Sequence, residues 1–212
     1  GVVYAVNWSE IIFNPSFPYR FVHMMLASGL TASFLIAGLS AYRMLKGDDK
    51  LAPKLALKTA TYTAAVLIPL QIFAGDMHGL NTLENQPQKV AAMEGLWDTT
   101  EGAPLLLFAI PDEESRENHF EIPVPNGASL ILTHKKDGKI QGLNDFEGEH
   151  PPVAPVFFGF RVMVGMGFLM LAVSWLGSSY LLRGKSFPLW LKRVFAGMAF
   201  SGWIATLAGW YV

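Results

Sequence analysis

Long apolar runs alternate with polar connections along this chain, and four of the runs are long enough to cross a bilayer. A membrane-spanning helix needs about 20 consecutive apolar residues. The apolar pattern predicts an all-α integral membrane fold with four transmembrane helices, at 18–46, 54–75, 153–183 and 188–212. The second run is diluted by Lys58 and three threonines. The fourth is still apolar at Val212, so we expect the chain to be a piece of a longer polypeptide.

Composition agrees with a membrane protein and limits the chemistry. Hydrophobic residues make up 51% of the chain and charged residues only 16%, with a mean hydropathy of +0.32. Cysteine is absent, which excludes disulfides, iron–sulfur clusters and covalent haem attachment. A haem bound by this chain would therefore need histidine or methionine ligands.

Charge distribution predicts the topology. Basic residues flank the two short connections: Arg43, Lys46, Lys50, Lys54 and Lys58 at the first, and Arg183, Lys185, Lys192 and Arg193 at the second. Cytoplasmic loops are enriched in Lys and Arg, so these ends are predicted to be cytoplasmic. Residues 1–17 then form an extracytoplasmic lead-in, and 76–152 form one large extracytoplasmic polar loop.

The large loop is predicted to contain structure of its own. Gln88–Trp97 has no Gly or Pro before Gly95 and favours a short helix, whereas several prolines interrupt the chain after it. Ala128–Thr133 followed by Lys135–Lys139 is typical of a strand and a tight turn. A loop of this length beside a membrane core is usually functional or disordered.

His23 is the first candidate for chemistry. It lies among apolar residues about one and a half turns into the first predicted span. An ionisable residue at that depth is costly and marks a functional site by default. The alternative is a neutral imidazole hydrogen-bonded to a neighbouring helix.

Met163 and Arg161 lie at a similar depth in the third predicted span. Met163 and His23 could be the two ligands of one haem iron, although membrane methionines more often serve packing. Arg161 needs an anion, which haem propionates would supply, and the alternative is snorkelling to the interface. In a regular helix the two side chains point to different sides.

Lys89 and Glu94 are candidates at the start of the polar loop. Quinol oxidation needs a hydrogen-bonding group for the head group and a base to accept protons. Five residues separate the two, so a helix would not place them on one face. Solvated surface side chains are the alternative interpretation.

Four motifs together resemble one protein family, subunit I of the cytochrome bd quinol oxidases. The motifs are Gly75-Asp76, the run Gln-Pro-x-Lys-x-Ala-Ala-Met-Glu-Gly-x-Trp at 86–97, Phe21-Val22-His23, and Phe160-Arg161-Val162-Met163. They cover essentially the whole chain in the family's order.

The resemblance implies a site and its cofactors. The four helices would match the fifth to eighth of the family's subunit, and 76–152 its quinol-binding Q-loop. His23 and Met163 would be the axial ligands of the low-spin haem b iron, with Arg161 beside them. Trp210 would lie close to the high-spin haems, and Lys89 and Glu94 would form the quinol pair.

The resemblance also implies limits. The short stretch from Glu121 to Pro152 and the sequence at 75–79 resemble the cyanide-insensitive branch with a short Q-loop. Ligands of the high-spin haem b and of haem d would lie on helices outside this sequence. Oxygen reduction is therefore assigned to no residue here, and this piece alone is not expected to perform it.

The implied function is electron transfer from membrane quinol to oxygen in the bacterial cytoplasmic membrane, which generates a proton gradient. The implied partners are the lipid bilayer, subunit II and a small accessory subunit, with no nucleic acid. Two alternatives stay open at this point. One is a transporter or channel in which His23 and Arg161 line a polar path; the other is a structural subunit whose loop docks a partner.

Overall fold

The computed structural model describes residues 6–146 and 150–212. The first five residues of the predicted lead-in and residues 147–149 of the predicted loop lie outside the described residues. The elements are α1 (Trp8–Ile12), α2 (Phe17–Leu45), α3 (Leu51–Asn85), α4 (Pro87–Glu94), β1 (Thr100–Glu101), β2 (Leu105–Asp112), β3 (Glu117–Val124), α5 (Gly127–Thr133), β4 (Lys139–Ile140), a 3-10 turn (Leu143–Phe146), α6 (Val153–Leu182), α7 (Leu189–Gly197) and α8 (Ser201–Trp210).

Helices α2, α3 and α6 are long and apolar enough to cross a membrane. They correspond to the first three predicted spans. Helix α3, however, runs to Asn85, ten residues past the predicted end of the span at 75. It ends there because Pro87 follows, and the residue before a proline disfavours helical geometry; Gln86 accordingly has φ −144° and ψ 60°.

The fourth predicted span forms two shorter helices, α7 and α8. The helical path is interrupted at 198–200, between Gly197 and Ser201. This interruption packs directly on α2, since a Cβ on Gly38 would lie 2.6 Å from the Cα of Ala199. Small residues allow such close backbone approach between membrane helices. Neither α7 nor α8 is long enough to cross a membrane by itself.

Four helices pack in a ring. Helix α2 lies beside α3, α3 beside α6, α6 beside α8, and α8 beside α2. Helices α2 and α6 are thus diagonal members of the ring. The core between the helices is apolar and includes a row of stacked rings, Phe34, Phe195 and Phe187, of which Phe34 is 0% exposed.

We call residues 86–146 and 150–152, between α3 and α6, the polar segment. The predicted short helix is present as α4, and Gly95 ends it with a left-handed φ of +66°. The fold is not all-α here, because β1 pairs with β4 and β2 pairs with β3, both antiparallel. The strand predicted at Ala128–Thr133 is wrong: these residues belong to helix α5.

The error at α5 has a physical cause. A short apolar run does not distinguish a strand from a helix by periodicity. Ala128 and Leu132, four residues apart, pack together into one small core, as on one face of a helix. The buried Ser129 hydroxyl donates to the carbonyl of Gly138 at 2.6 Å and accepts the Ala103 N–H at 2.7 Å. The tight turn after the run is present, with a hydrogen bond from Gly138 N to Lys135 O.

Candidate functional site

The surroundings of His23 are built by one face of α3. Gln71, Gly75 and His78 are spaced by four and three residues, which aligns them along a helix. The His23 Nε2 atom lies 3.1 Å from the Gln71 amide nitrogen, and the His23 and His78 ring centroids are 5.8 Å apart. A Cβ on Gly75 would lie 3.2 Å from His23 Cε1. Glycine therefore gives the imidazole its space.

Two buried atoms of this cluster lack a hydrogen-bond partner within the described part of the chain. They are Nδ1 of His23 and Oε1 of Gln71. Buried polar atoms are nearly always hydrogen-bonded, and an exception calls for a functional explanation. An imidazole nitrogen is also the commonest protein ligand for a metal ion. His23, whose Nδ1 has no partner, is thus a residue that could hold a haem iron.

Met163 lies half-buried on α6, the helix diagonal to α2. Its Sδ atom packs against α8, where a Cβ on Gly209 would lie only 2.9 Å from it. Next to it along α6, Gly165 and Gly167 have open space where a side chain would project. An imidazole and a thioether are donors that a haem iron accepts, so the chemistry of these two residues fits that group.

Arg161 does not face an open site. Its guanidinium pairs with Glu94 at 3.1 Å, donates to the carbonyl of Leu106 at 2.9 and 2.8 Å, and donates to the carbonyl of Met93. It also lies over the Phe157 ring, 4.0 Å from the centroid. The guanidinium thus joins α6 to the polar segment at α4 and β2.

Glu94 is the buried end of this pair. It is the last residue of α4 and is 4% exposed. Burial raises the pKa of Glu94 above its ordinary value, and the charge and hydrogen bond of Arg161 oppose that rise. A buried carboxyl with a perturbed pKa and a specific charged partner is a candidate functional group.

Lys89 lies on a different side of α4. Burial lowers the pKa of its amine, and the positive charge of Arg20 lowers it further. No hydrogen bond or ion pair joins Lys89 to Glu94 among the described residues. The structure thus places Lys89 toward the ends of α2 and α3, and Glu94 against α6.

Trp210 ends helix α8 and is 72% exposed. It packs into none of the described hydrophobic cores.

Three residues around the site were not among the predicted site residues. They are Arg20, Gln71 and His78. The sequence contained a signal for two of them. Gln71 and His78 are seven residues apart, so they share one face of a helix. That signal depends on α3 continuing past Asp76, which the apolar pattern did not indicate.

Comparisons with known proteins agree on one family. The family model described as "Cytochrome bd terminal oxidase subunit I" matches residues 1–212. "Cytochrome bd ubiquinol oxidase subunit 1" of Bacillus subtilis (strain 168) is 30% identical over 217 residues, covering 96% of this chain and 46% of that protein. "Cytochrome bd-II ubiquinol oxidase subunit 1" of Escherichia coli (strain K12) is 26% identical, covering 97% and 53%.

A solved structure gives the same result. "The structure of bd oxidase from Geobacillus thermodenitrificans" superposes with a TM-score of 0.83 at 29% identity, covering 95% of this chain and 47% of that one. The chain spans about half the length of the relatives it matches. The resemblance seen in the sequence motifs is confirmed: this chain belongs to the cytochrome bd terminal oxidase subunit I family.

Proposed function

We propose that this chain forms the quinol-oxidising, low-spin haem b portion of a quinol:oxygen oxidoreductase in the bacterial cytoplasmic membrane. The observation that carries the proposal is the buried, unpartnered Nδ1 atom of His23, inside a ring of helices whose diagonal member bears Met163. Family membership supplies the class of reaction.

His23 and Met163 are the proposed axial ligands. A b-type haem held by the His23 imidazole and the Met163 thioether would supply one-electron transfer. Gly75 and Gly209 keep the two side chains free of steric conflict with the neighbouring helices. Oxygen reduction at high-spin haem b and haem d is assigned to no residue of this chain.

Glu94 is the proposed proton acceptor for quinol oxidation. Its raised pKa makes protonation accessible nearer to neutral pH than for a solvated carboxyl. Arg161 stabilises the anionic form that accepts the proton, and loses that interaction when the proton arrives. Lys89 is proposed to hold an oxygen of the quinol head group, because its half-buried amine has no acidic partner among the described residues.

The proposed topology places the polar segment outside the cytoplasm. The basic residues at 43–58 and 183–193 lie at the opposite ends of α2, α3 and α6 from His23 and α4. Protons leaving quinol at Glu94 are then released outward, which contributes to a gradient. The four proposed spans, with α7 and α8 counted as one broken span, match the family's fifth to eighth helices.

The proposed partners are quinol, the lipid bilayer, subunit II of the oxidase and a small accessory subunit. No nucleic-acid partner is expected. The transporter alternative is not favoured: Arg161 is bonded to carbonyls and to Glu94 rather than lining a path, and the relatives are named as oxidases.

A haem spectrum of the intact oxidase tests the ligand assignment. We expect His23→Ala and Met163→Leu each to abolish the reduced-minus-oxidised band of low-spin haem b. Met25→Leu, an exposed methionine near His23 on α2, is the matched control and leaves the band intact. A normal low-spin band in His23→Ala would refute the proposal.

A further inference from the structure

A polar pocket opens at the end of the helix ring nearest the polar segment. It lies between the first turn of α2 and the last turns of α3, and its volume is about 170 Å³. Its lining includes Arg20, His78, Asn81, Asn85 and Gln86. All five side chains can donate a hydrogen bond, and none is acidic.

Arg20 brings a positive charge to this pocket, and no carboxylate lines it. Arg20 and His78 line it, and the charge of Arg20 also acts on the half-buried Lys89. Within 6–146 and 150–212, none of these three side chains forms an ion pair with Asp or Glu. A guanidinium surrounded by hydrogen-bond donors and without a carboxylate partner favours an anionic ligand. The arrangement therefore favours a bound anion.

The pocket lies beside the group that His23 is proposed to bind. Arg20 precedes His23 by three residues on α2, which separates them by one helical turn, about 5–6 Å. The His78 ring is 5.8 Å from the His23 ring. An anionic group attached to the edge of a His23-bound ligand therefore has these donors within reach.

Arg161, the other candidate for such an anion, is already engaged. Its bonds to Leu106, Met93 and Glu94 use Nε, one N–H of Nη1 and both of Nη2. A guanidinium has five N–H donors, so one remains. Arg161 also faces the carboxylate of Glu94, which repels a second anion.

We propose that Arg20 and His78 bind the propionate carboxylates of the haem held by His23. This inference rests on the proposed function and extends it, because it assigns the carboxylate contacts to the α2–α3 pocket instead of Arg161. Arg20 supplies the fixed charge and a planar pair of N–H donors that match a carboxylate. His78 supplies one further N–H donor.

The redox potential of the haem reports this contact. A cation beside the carboxylates offsets negative charge near the iron and favours the reduced state. Removing it with Arg20→Gln should lower the ratio of reduced to oxidised low-spin haem about tenfold at a fixed ambient potential, a shift of about 59 mV. Arg20→Lys should retain most of the wild-type ratio, because it retains the charge.

The experiment is a spectroelectrochemical titration of the intact oxidase, with Lys185→Gln as the control. Lys185 is an exposed cation at the opposite end of the bundle, and its loss should leave the potential unchanged. A lowered potential in Arg20→Gln, with the low-spin band present, supports the inference. A wild-type potential in both Arg20→Gln and His78→Gln overturns it and leaves the ligand assignment standing.

Loss of the haem and the lipid composition of the vesicles provide two further tests. If Arg20→Gln loses the haem, recovery of the haem in Arg20→Lys supports the inference, and no recovery in a folded complex overturns it. Titration in phosphatidylcholine vesicles with and without phosphatidylglycerol identifies the anion: an Arg20 effect seen only with phosphatidylglycerol assigns the pocket to a lipid phosphate and overturns the haem assignment. A low-spin band that survives His23→Ala refutes the proposed function separately.

Discussion

Replacing Arg161 by methionine tests the buried pair most directly. Methionine keeps much of the apolar length of the side chain but removes the charge and every hydrogen bond to Leu106, Met93 and Glu94. Glu94, which is 4% exposed, then has no cation beside it. Removing one partner of a buried ion pair costs about 3–5 kcal/mol of folding free energy, so we expect a loss of that size at neutral pH.

The loss should depend on pH in a defined direction. Burial raises the pKa of Glu94 and Arg161 opposes that rise; without Arg161 the pKa of Glu94 rises further. A carboxyl whose pKa is raised on folding favours the folded state at low pH, and that contribution is lost as the pH rises through the folded-state pKa. Arg161→Met should therefore destabilise the protein less at about pH 5 than at about pH 8.

The assay is denaturant unfolding of the intact complex, followed by far-ultraviolet circular dichroism at both pH values. Arg193→Met, an exposed arginine on α7, is the control and should have little effect. Adding Glu94→Gln to Arg161→Met should recover part of the loss, because the double variant has no buried charge to solvate. Equal destabilisation at both pH values, or strictly additive single losses, would refute the reasoning.

Three further predictions follow from other contacts. Glu94→Gln and Lys89→Gln should each lower quinol oxidation at least tenfold, a barrier increase of about 1.4 kcal/mol, with the low-spin haem content unchanged; unchanged turnover in steady-state assays would remove their assigned roles. Gly38→Val should destabilise the bundle by about 1–3 kcal/mol, since its Cβ would lie 2.6 Å from the Cα of Ala199, and a wild-type thermal midpoint would contradict this. Ser129→Ala should cost about 1–3 kcal/mol, because it leaves a buried N–H unpaired, and hydrogen exchange at α5 should rise; unaltered protection there would argue against it.

The sequence predicted the helices whose apolar runs are continuous. Helices α2 and α6 begin and end within a few residues of the predicted spans, since length and hydropathy alone define a membrane helix. Helix α3 was predicted too short because most of its last ten residues are polar, and polarity was taken to mark the loop. Backbone hydrogen bonding continued the helix regardless, until Pro87 ended it.

The contacts of the candidate site were less predictable. His23 could be singled out because an ionisable residue in an apolar run is costly. Its neighbours Gln71 and His78 come from another helix, and their proximity depends on how α2 and α3 pack. The contact of Arg161 with Glu94 could not be predicted either, because 67 residues separate the two and no local pattern joins them. The haem ligation by His23 and Met163 stays a prediction.

The Arg161 contact also bears on how the chain is assembled. A ribosome completes α4 and both hairpin strands of the polar segment before it synthesises α6, so Glu94 exists for 67 residues of elongation without its guanidinium. During that interval the unpaired carboxylate of Glu94 is most stable in water. We therefore expect the polar segment not to bury it until α6 is present. Insertion of α6 brings in the arginine and the Phe157 ring together. We therefore expect the polar segment to complete its docking only after α6 is in place, through a residue of the helix that also carries Met163.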